Sequence, residues 1–244
     1  MSDPRTHTSP TDRRAPSTEI MEAMACHHAY WAASCLLGFP RPGLFDELSR
    51  FTFLWELELA VSCLPRADQL RDEAAALTRH WKKSSSKDAS SLEERYLRVV
   101  GKASRSNVGF TEVDRDPADW ERLGLKLGDV TSFYAAFGVR VPAGESERED
   151  HVATELEFEG FLTLKEAYAL GEEDLAHAEL CRNARRRFLH EHLAPALLAF
   201  DEQFRRVCDD GFYSAASRFA AELVRWDCRR LGMTRLGGPG GNGA

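Results

Sequence analysis

The stretch Thr18-Glu19-Ile20-Met21-Glu22-Ala23-Met24-Ala25-Cys26-His27-His28-Ala29-Tyr30-Trp31-Ala32-Ala33-Ser34-Cys35-Leu36-Leu37, followed by Gly38-Phe39-Pro40, decides the fold class. Ile20, Met24, His27 or His28, Trp31 and Cys35 recur at intervals of three or four, the spacing that brings side chains onto one face of an α-helix. Thr18 can cap this helix and Gly38-Phe39-Pro40 stops it. The same reading repeats along the chain. A second helix follows Pro42 and turns Leu44, Leu48, Phe51, Trp55, Leu59 and Leu64 toward the core until Pro65. A third, about Asp68 to Trp81, carries Leu70, Ala74, Leu77 and Trp81 on one stripe.

Lys82 to Ser91 is polar and serine-rich, a connection; a short helix about Leu92 to Val100 carries Tyr96. Gly101 to Asp116 lacks periodicity and reads as a loop. Asp116 and Pro117 supply a cap and a first helical position, and Trp120, Leu123 and Leu127 precede a run from Asp129 to Phe137 that Gly138 ends. After Pro142 to Glu149 comes a strong helix from Val152 to Leu170. Others span about Glu173 to His190, Pro195 to Cys208 and Phe212 to Leu231. Val/Ile/Thr alternation and Asn-Gly or Asp-Gly hairpin turns are absent. The expectation is an all-α, single-domain bundle of about nine helices over residues 18–232, between a disordered leader (1–17) and a flexible glycine-rich tail (233–244).

A chain of 244 residues, 43% hydrophobic, can bury a core without disulfides. Its charge of -7, from 39 acidic against 32 basic side chains, favours cationic partners and argues against nucleic acid. The leader holds Pro4, Pro10 and Pro16 and no apolar run after Arg13-Arg14, so it does not read as an export signal. No segment is apolar enough for a membrane span, so stable membrane insertion is not expected. The six cysteines form no C-x-x-C pair and read as small buried hydrophobes in a reducing, cytoplasmic setting.

Glu145 to Glu159 holds seven acidic residues and one basic residue, Arg148. Asp150 is placed to cap the helix behind it, with Glu147 and Glu149 near its positive end. Charge continues through Glu155, Glu157 and Glu159, interleaved with Phe158, Phe161 and Leu162. An acidic rim beside apolar side chains suits a peptide with arginines ahead of a hydrophobic run. His151, four residues before Glu155, shares its face and is open to local bonding, protein binding or metal ligation. His190-x-His192 and Cys26-His27 diverge on a helix, and no H-E-x-x-H or paired C-x-x-C points to zinc. No Walker A, G-x-G-x-x-G or G-x-S-x-G motif points to an enzyme. Arg185-Arg186-Arg187 and Arg205-Arg206 read as solvated helix faces.

Five segments, in order, resemble the TorD/DmsD/NarJ-like family of redox-enzyme maturation chaperones. They are Glu94-Arg95-Tyr96-Leu97-Arg98, Phe133-Tyr134-Ala135-Ala136-Phe137-Gly138-Val139, Asp150-His151-Val152-Ala153-Thr154-Glu155-Leu156-Glu157-Phe158, Phe188-Leu189-His190-Glu191-His192-Leu193-Ala194-Pro195 and Phe212-Tyr213-Ser214-Ala215-Ala216. The resemblance covers roughly Glu19 to Leu231. Three departures stand out: Glu149 where proline is frequent, Glu159 where methionine is frequent, and no P-Y/W-E-S-like element in Ser104 to Asp116. They suggest the branch serving dimethylsulfide, ethylbenzene, chlorate or selenate-type molybdoenzymes.

The resemblance implies an all-helical, non-catalytic cytoplasmic chaperone without a cofactor of its own. Its partner would be the precursor of a molybdopterin-containing oxidoreductase catalytic subunit, or that precursor's twin-arginine signal peptide, held until cofactor insertion. Asp150 and His151 match the recognition motif. With Glu155, Phe158, Tyr96 and Phe133 they form the expected client-binding set, around one groove. An adaptor or regulatory protein for another basic or amphipathic segment is the alternative, and a metal- or nucleotide-dependent hydrolase the third.

Overall fold

A computed structural model describes residues 17–83, 89–106, 108–111, 120–141 and 148–233, with the side chains of 89–91 and 120–126 left aside. The leader up to residue 16, the tail from 234, the middle of the serine-rich connection, Asp116, Pro117, Glu145 and Glu147 lie outside the described residues. The helices are α1 (Thr18–Leu37), α2 (Leu44–Ser49), α3 (Thr52–Ser62), α4 (Asp68–Lys83), α5 (Ala89–Arg105), α6 (Trp120–Ala136), α7 (Val152–Gly171), α8 (Leu175–Phe188), α9 (Ala194–Val207) and α10 (Gly211–Arg230). A π-helical turn, Leu189–Leu193, joins α8 to α9 without leaving helical dihedrals. The two therefore form one rod, and among the described residues the fold is all-α with nine rods around a single main core. The one extended pairing among the described residues is an isolated antiparallel bridge between Thr111 and His151.

α1 packs most extensively on α7, which also carries α8; α10 packs on α4, α9 and α1. Ile20 lies against Ala169, Leu170 and Ala178, His27 and Tyr30 against Gly160, and Ser34 and Cys35 beside Ala153 and Glu157. Partners on α7 thus descend as α1 ascends, so the two run antiparallel. Gly160 makes their approach possible: a Cβ there would lie 3.1 Å from Tyr30 Cβ, and His27 Nδ1 meets the Gly160 carbonyl at 2.9 Å.

Several sequence expectations shift. α1 is capped by Ser17, whose hydroxyl accepts from the Ile20 amide, rather than by Thr18. Its deepest face is Ala23, Cys26, Tyr30, Ala33 and Leu37, while Met24 is exposed. The expected second helix is two helices. Arg50 ends α2 and Phe51, at φ +60°, lies in the left-handed region. That break rotates the next helix, so Phe53, Leu54, Leu57 and Val61 face the core, and Trp55 and Leu59 stand 62% and 50% exposed. α5 runs on through Gly101 to Arg105, because burial of Val99 and Ala103 outweighs the roughly 1 kcal/mol a helical glycine costs. Pro195 does not separate two helices; the wider π turn before it takes up its missing N–H and its ring. Among the cysteines, all free, Cys26, Cys181 and Cys228 are buried, but Cys63 ends α3 in solvent.

Candidate functional site

Among the described residues, the acidic run from Glu149 to Glu159 does not form a solvent-facing rim. His151, not Asp150, caps α7: its Nδ1 accepts from the Ala153 amide at 3.1 Å, so the ring is neutral there with its proton on Nε2. Asp150, one residue outside the cap, is 1% exposed, and the half-exposed Arg148 donates to its carboxylate at 3.0 and 3.4 Å. Glu155 and Glu159 are fully buried, and within Glu155 to Glu159 only Glu157 remains an exposed carboxylate.

Glu159 instead belongs to an ion cluster. Arg185, expected on a solvated face, is completely buried. It donates to Glu159 at 2.7 Å, Glu166 at 2.6 Å and Asp227 at 2.5 Å, and toward Cys26 Sγ at 3.7 Å. The Tyr30 hydroxyl donates to Asp227 at 2.9 Å, and Arg182 closes Glu166 from outside at 2.7 Å. One guanidinium thereby ties α1, α7, α8 and α10 together. Burial, against the pull of Arg185, pushes Glu159 up to about 8. Burial also raises Glu166, but Arg185 and Arg182 outweigh it and hold that carboxylate below its ordinary value. A readable signal existed: Glu155, Glu159 and Glu166 fall on the helical spacing of α7's apolar stripe, and Arg182 and Arg185 repeat it on α8.

The motif segments meet in an aromatic network rather than one groove. Tyr96 packs on Phe39, Phe110 and Tyr213 (ring centroids 5.7, 6.2 and 6.0 Å). Phe110 stacks on His151 at 5.5 Å and meets Phe200 and Phe204 edge-on. Tyr96 and His151 are thus linked through Phe110, a residue the sequence reading left in a loop. Behind them, Arg95 donates to both oxygens of Asp210 at 2.9 Å, and Asp210 in turn caps α10 at Phe212 and Tyr213. On the far side of α7, Phe158 packs on Tyr134 and Phe188, and Phe133 on Phe188 and His192. Phe133 also lines a separate cavity of about 400 Å³ with Phe137, Leu180, Ala184, Asp129 and Arg187. Of the expected set, Asp150, His151, Glu155, Phe158 and Tyr96 are buried, and Phe133 is half-buried and joined to Phe158 through Phe188.

What solvent reaches beside the motif is a groove of about 240 Å³ between the end of α1 and the start of α7. Trp31, Ser34, Cys35, Gly38, Phe39 and Arg41 line one side, and Ala153, Thr154 and Glu157 the other. Phe39 is 46% exposed and rests edge-on against Tyr96. Arg41 is held by Glu47, and among the described residues Glu157 is the groove's charge without an ion-pair partner. Among the described residues no group of three His, Cys, Asp or Glu side chains is arranged to hold a metal ion, and no helix is long and apolar enough to cross a membrane.

Sequence comparison points the same way as the motifs. The chain is 34% identical over 144 residues to the selenate reductase assembly chaperone protein of Thauera selenatis, covering 58% of this chain and 70% of that protein. It is 37% identical over 141 residues to the chlorate reductase assembly chaperone protein of Ideonella dechloratans, with the same coverages. With the chaperone protein TorD of Vibrio cholerae it shares 34% identity over 127 residues, 48% of this chain and 56% of TorD. No solved structure matches it. The model of the nitrate reductase delta subunit family matches residues 66–200, more than half the chain. That span contains Tyr96, Phe110, the Asp150–Phe158 motif and Arg185, so the chain belongs to the nitrate reductase delta subunit family.

Proposed function

We propose that this protein is a cytoplasmic assembly chaperone. It binds the precursor of a molybdenum-containing oxidoreductase catalytic subunit through the precursor's twin-arginine leader and holds it for cofactor insertion before export. Its likeness to the selenate and chlorate reductase assembly chaperones carries this reading and suggests a client of that type. The groove between α1 and α7 has the matching chemistry. Glu157 can steer an arginine, and Trp31 and Phe39 offer apolar surface to the run behind it. Binding is reversible and stoichiometric, with no covalent step. Asp150 and His151 act by fixing the start of α7, and Glu155, Phe158, Tyr96 and Phe133 by holding the walls behind it. Release follows when cofactor-dependent folding of the client withdraws the bound segment.

Purification of the tagged chain from its native cells should recover a molybdoenzyme catalytic precursor in stoichiometric amount. Its reproducible absence during active enzyme synthesis refutes the proposal. Glu157→Lys should weaken binding of an arginine-bearing leader by about tenfold while leaving the fold intact, the scale of a lost steering charge in a partly solvated pair.

A further inference from the structure

Met21, Met24, His28, Trp31 and Cys35 keep helical spacing along α1, yet this stripe is turned away from the core: the two methionines are exposed and the other three residues half-buried. α7 carries a stripe of the same spacing, Thr154, Glu157, Phe161, Leu164 and Tyr168, which with Lys165 makes its outward side. The antiparallel register sets the two stripes side by side. Cys35 lies by Thr154 and Glu157, His27 meets the Gly160 carbonyl, and Ile20 lies against Ala169 and Leu170. Met24 therefore falls opposite Leu164, and Met21 opposite Tyr168. α3 borders α1 on its other side, with Phe53 against Trp31 at 5.7 Å, and turns Trp55 and Leu59 outward. Six of the eleven large apolar side chains exposed among the described residues sit on these three helices, a concentration that marks a docking surface. Its charge is one-sided. Glu157 stands at the groove end, and partway along Lys165 rests over Phe161 with Nζ 5.9 Å from the ring centre. Burial holds the His28 imidazole below its ordinary value against the pull of Glu56, which leaves the α1 stripe neutral.

We infer that this α1–α7 face seats the apolar run of the client's leader as an α-helix, with its arginine at Glu157 and its far end between Met21 and Tyr168. The assignment rests on the chaperone reading above and lengthens the groove described there. That groove spans α1 only from Trp31 to Gly38, about 10 Å. An apolar run of about fourteen residues, within the span of an export leader's hydrophobic region, is about 21 Å long as a helix. Met21 to Cys35 covers that same length. Extended, the run would reach about 46 Å, well past the roughly 30 Å of α7 itself. Two helices also offer side chains and no backbone edge, so the bound run has to satisfy its own amides and carbonyls, as a helix does. Met21 and Met24 suit an occupant held by shape more than by sequence, because thioether side chains repack around varied neighbours. Polarity follows from charge: Glu157 attracts the arginine, and Lys165 disfavours a second cation farther along.

The test uses the full-length protein and synthetic peptides with an Arg-Arg pair followed by about fourteen or about seven apolar residues. The longer peptide should bind at least about tenfold more tightly, since the shorter one leaves half the seat empty. Equal Kd values overturn the inference without any variant having to fold. Met24→Glu and Leu164→Glu, both exposed and outside the groove, should each raise the Kd of the longer peptide about tenfold and leave that of the shorter one unchanged. Leu180→Glu, on α8 at the cavity beside Phe133, should change neither. A photo-crosslinker on the last apolar residue of the longer peptide should label segments 18–24 and 164–171; labelling near Phe39 and Thr154 instead overturns the assigned polarity. If Glu157→Lys weakens binding while run length, Met24→Glu and Leu164→Glu do not, with helical content retained, the inference falls and the leader-binding reading stands. No binding of either peptide by the unmodified protein refutes that reading and the inference with it. A dimer in sedimentation that Met24→Glu dissociates assigns the face to a second copy of the chain and likewise overturns it.

Discussion

Replacing Arg185 by methionine tests whether the buried ion cluster is the tie between helices that its geometry suggests. Methionine fills most of the side-chain volume but donates nothing. Glu166 keeps Arg182 at 2.7 Å, and Asp227 keeps the Tyr30 hydroxyl at 2.9 Å and a distant Arg230 at 3.9 Å. Glu159 loses the one guanidinium hydrogen-bonded to it. Asp227 likewise loses its guanidinium and is left as a buried carboxylate. Removing one partner of a buried ion pair costs about 3–5 kcal/mol. In a chain of this size each kcal/mol lowers the unfolding midpoint by about 2–4 °C, so Arg185→Met should melt about 6–20 °C lower. Circular dichroism at 222 nm through a thermal ramp reads this directly. Adding Asp227→Asn should recover part of the loss, since it removes the charge left behind, with a coupling of at least about 1 kcal/mol in the double-mutant cycle. A midpoint for Arg185→Met within about 2 °C of the parent, or strictly additive effects in the cycle, would refute the assignment of this cluster as a structural tie.

The Glu159 carboxyl is near 8 in the fold and near 4.5 when unfolded, so folding takes up a proton. Its contribution is full below about pH 4.5 and is lost as pH rises through about 8. Urea unfolding at about pH 6 and about pH 9 should show the parent losing more stability across that interval than Glu159→Gln; equal losses contradict it. Gly160→Ala should destabilise by about 1–3 kcal/mol, because its Cβ meets Tyr30 Cβ at 3.1 Å. Gly128→Ala, in α6 with nothing within 4 Å of the added atom, should instead stabilise by about 0.5–1 kcal/mol. Denaturant midpoints that move in the same direction for both remove the packing argument for Gly160. His151→Ala deletes the cap acceptor of α7 and should cost about 0.5–2 kcal/mol, most of it restored by His151→Asn. Failure of asparagine to rescue would mean that the stacking on Phe110, not the cap, is what the ring supplies.

The helices were legible wherever periodicity and a terminator coincided. Leu70, Ala74, Leu77 and Trp81 gave α4 its correct face, and Gly138, at φ +73°, ends α6 as read. Errors arose where local sequence left phase open. Nothing around Arg50 and Phe51 announces a left-handed residue, yet it decides whether Trp55 or Leu57 faces inward. In α1 apolar and small residues run nearly all round the helix, so a stripe could be drawn at several phases, and the one through Met24 lies off the buried face. The motif residues were located but their exposure was not, because carboxylates spaced like a solvated face can equally surround a buried guanidinium. The distinction lay in residues far along the chain, Arg185 and Asp227, and contacts 26 and 42 positions from Arg185 leave no local trace. Phe110 was missed for a simpler reason: a lone aromatic in an aperiodic stretch has no pattern to belong to.

The five-residue turn from Leu189 to Leu193 has a bearing on chain length. Inward positions along the rod run Cys181, Arg185, Phe188 and His192, then resume at Leu197, Phe200 and Phe204. A uniform α-helix would have reached that phase one residue earlier. The turn therefore works as an inserted frame of one residue, swallowed without breaking the rod. Deleting a single residue there would turn the wide turn into ordinary α-helix and leave Leu197, Phe200 and Phe204 on the face they hold now, with Phe200 and Phe204 still against Phe110. At this one point the rod tolerates a change of one residue in length, because a turn that can be wide or ordinary keeps its two halves in register with the rest of the protein either way.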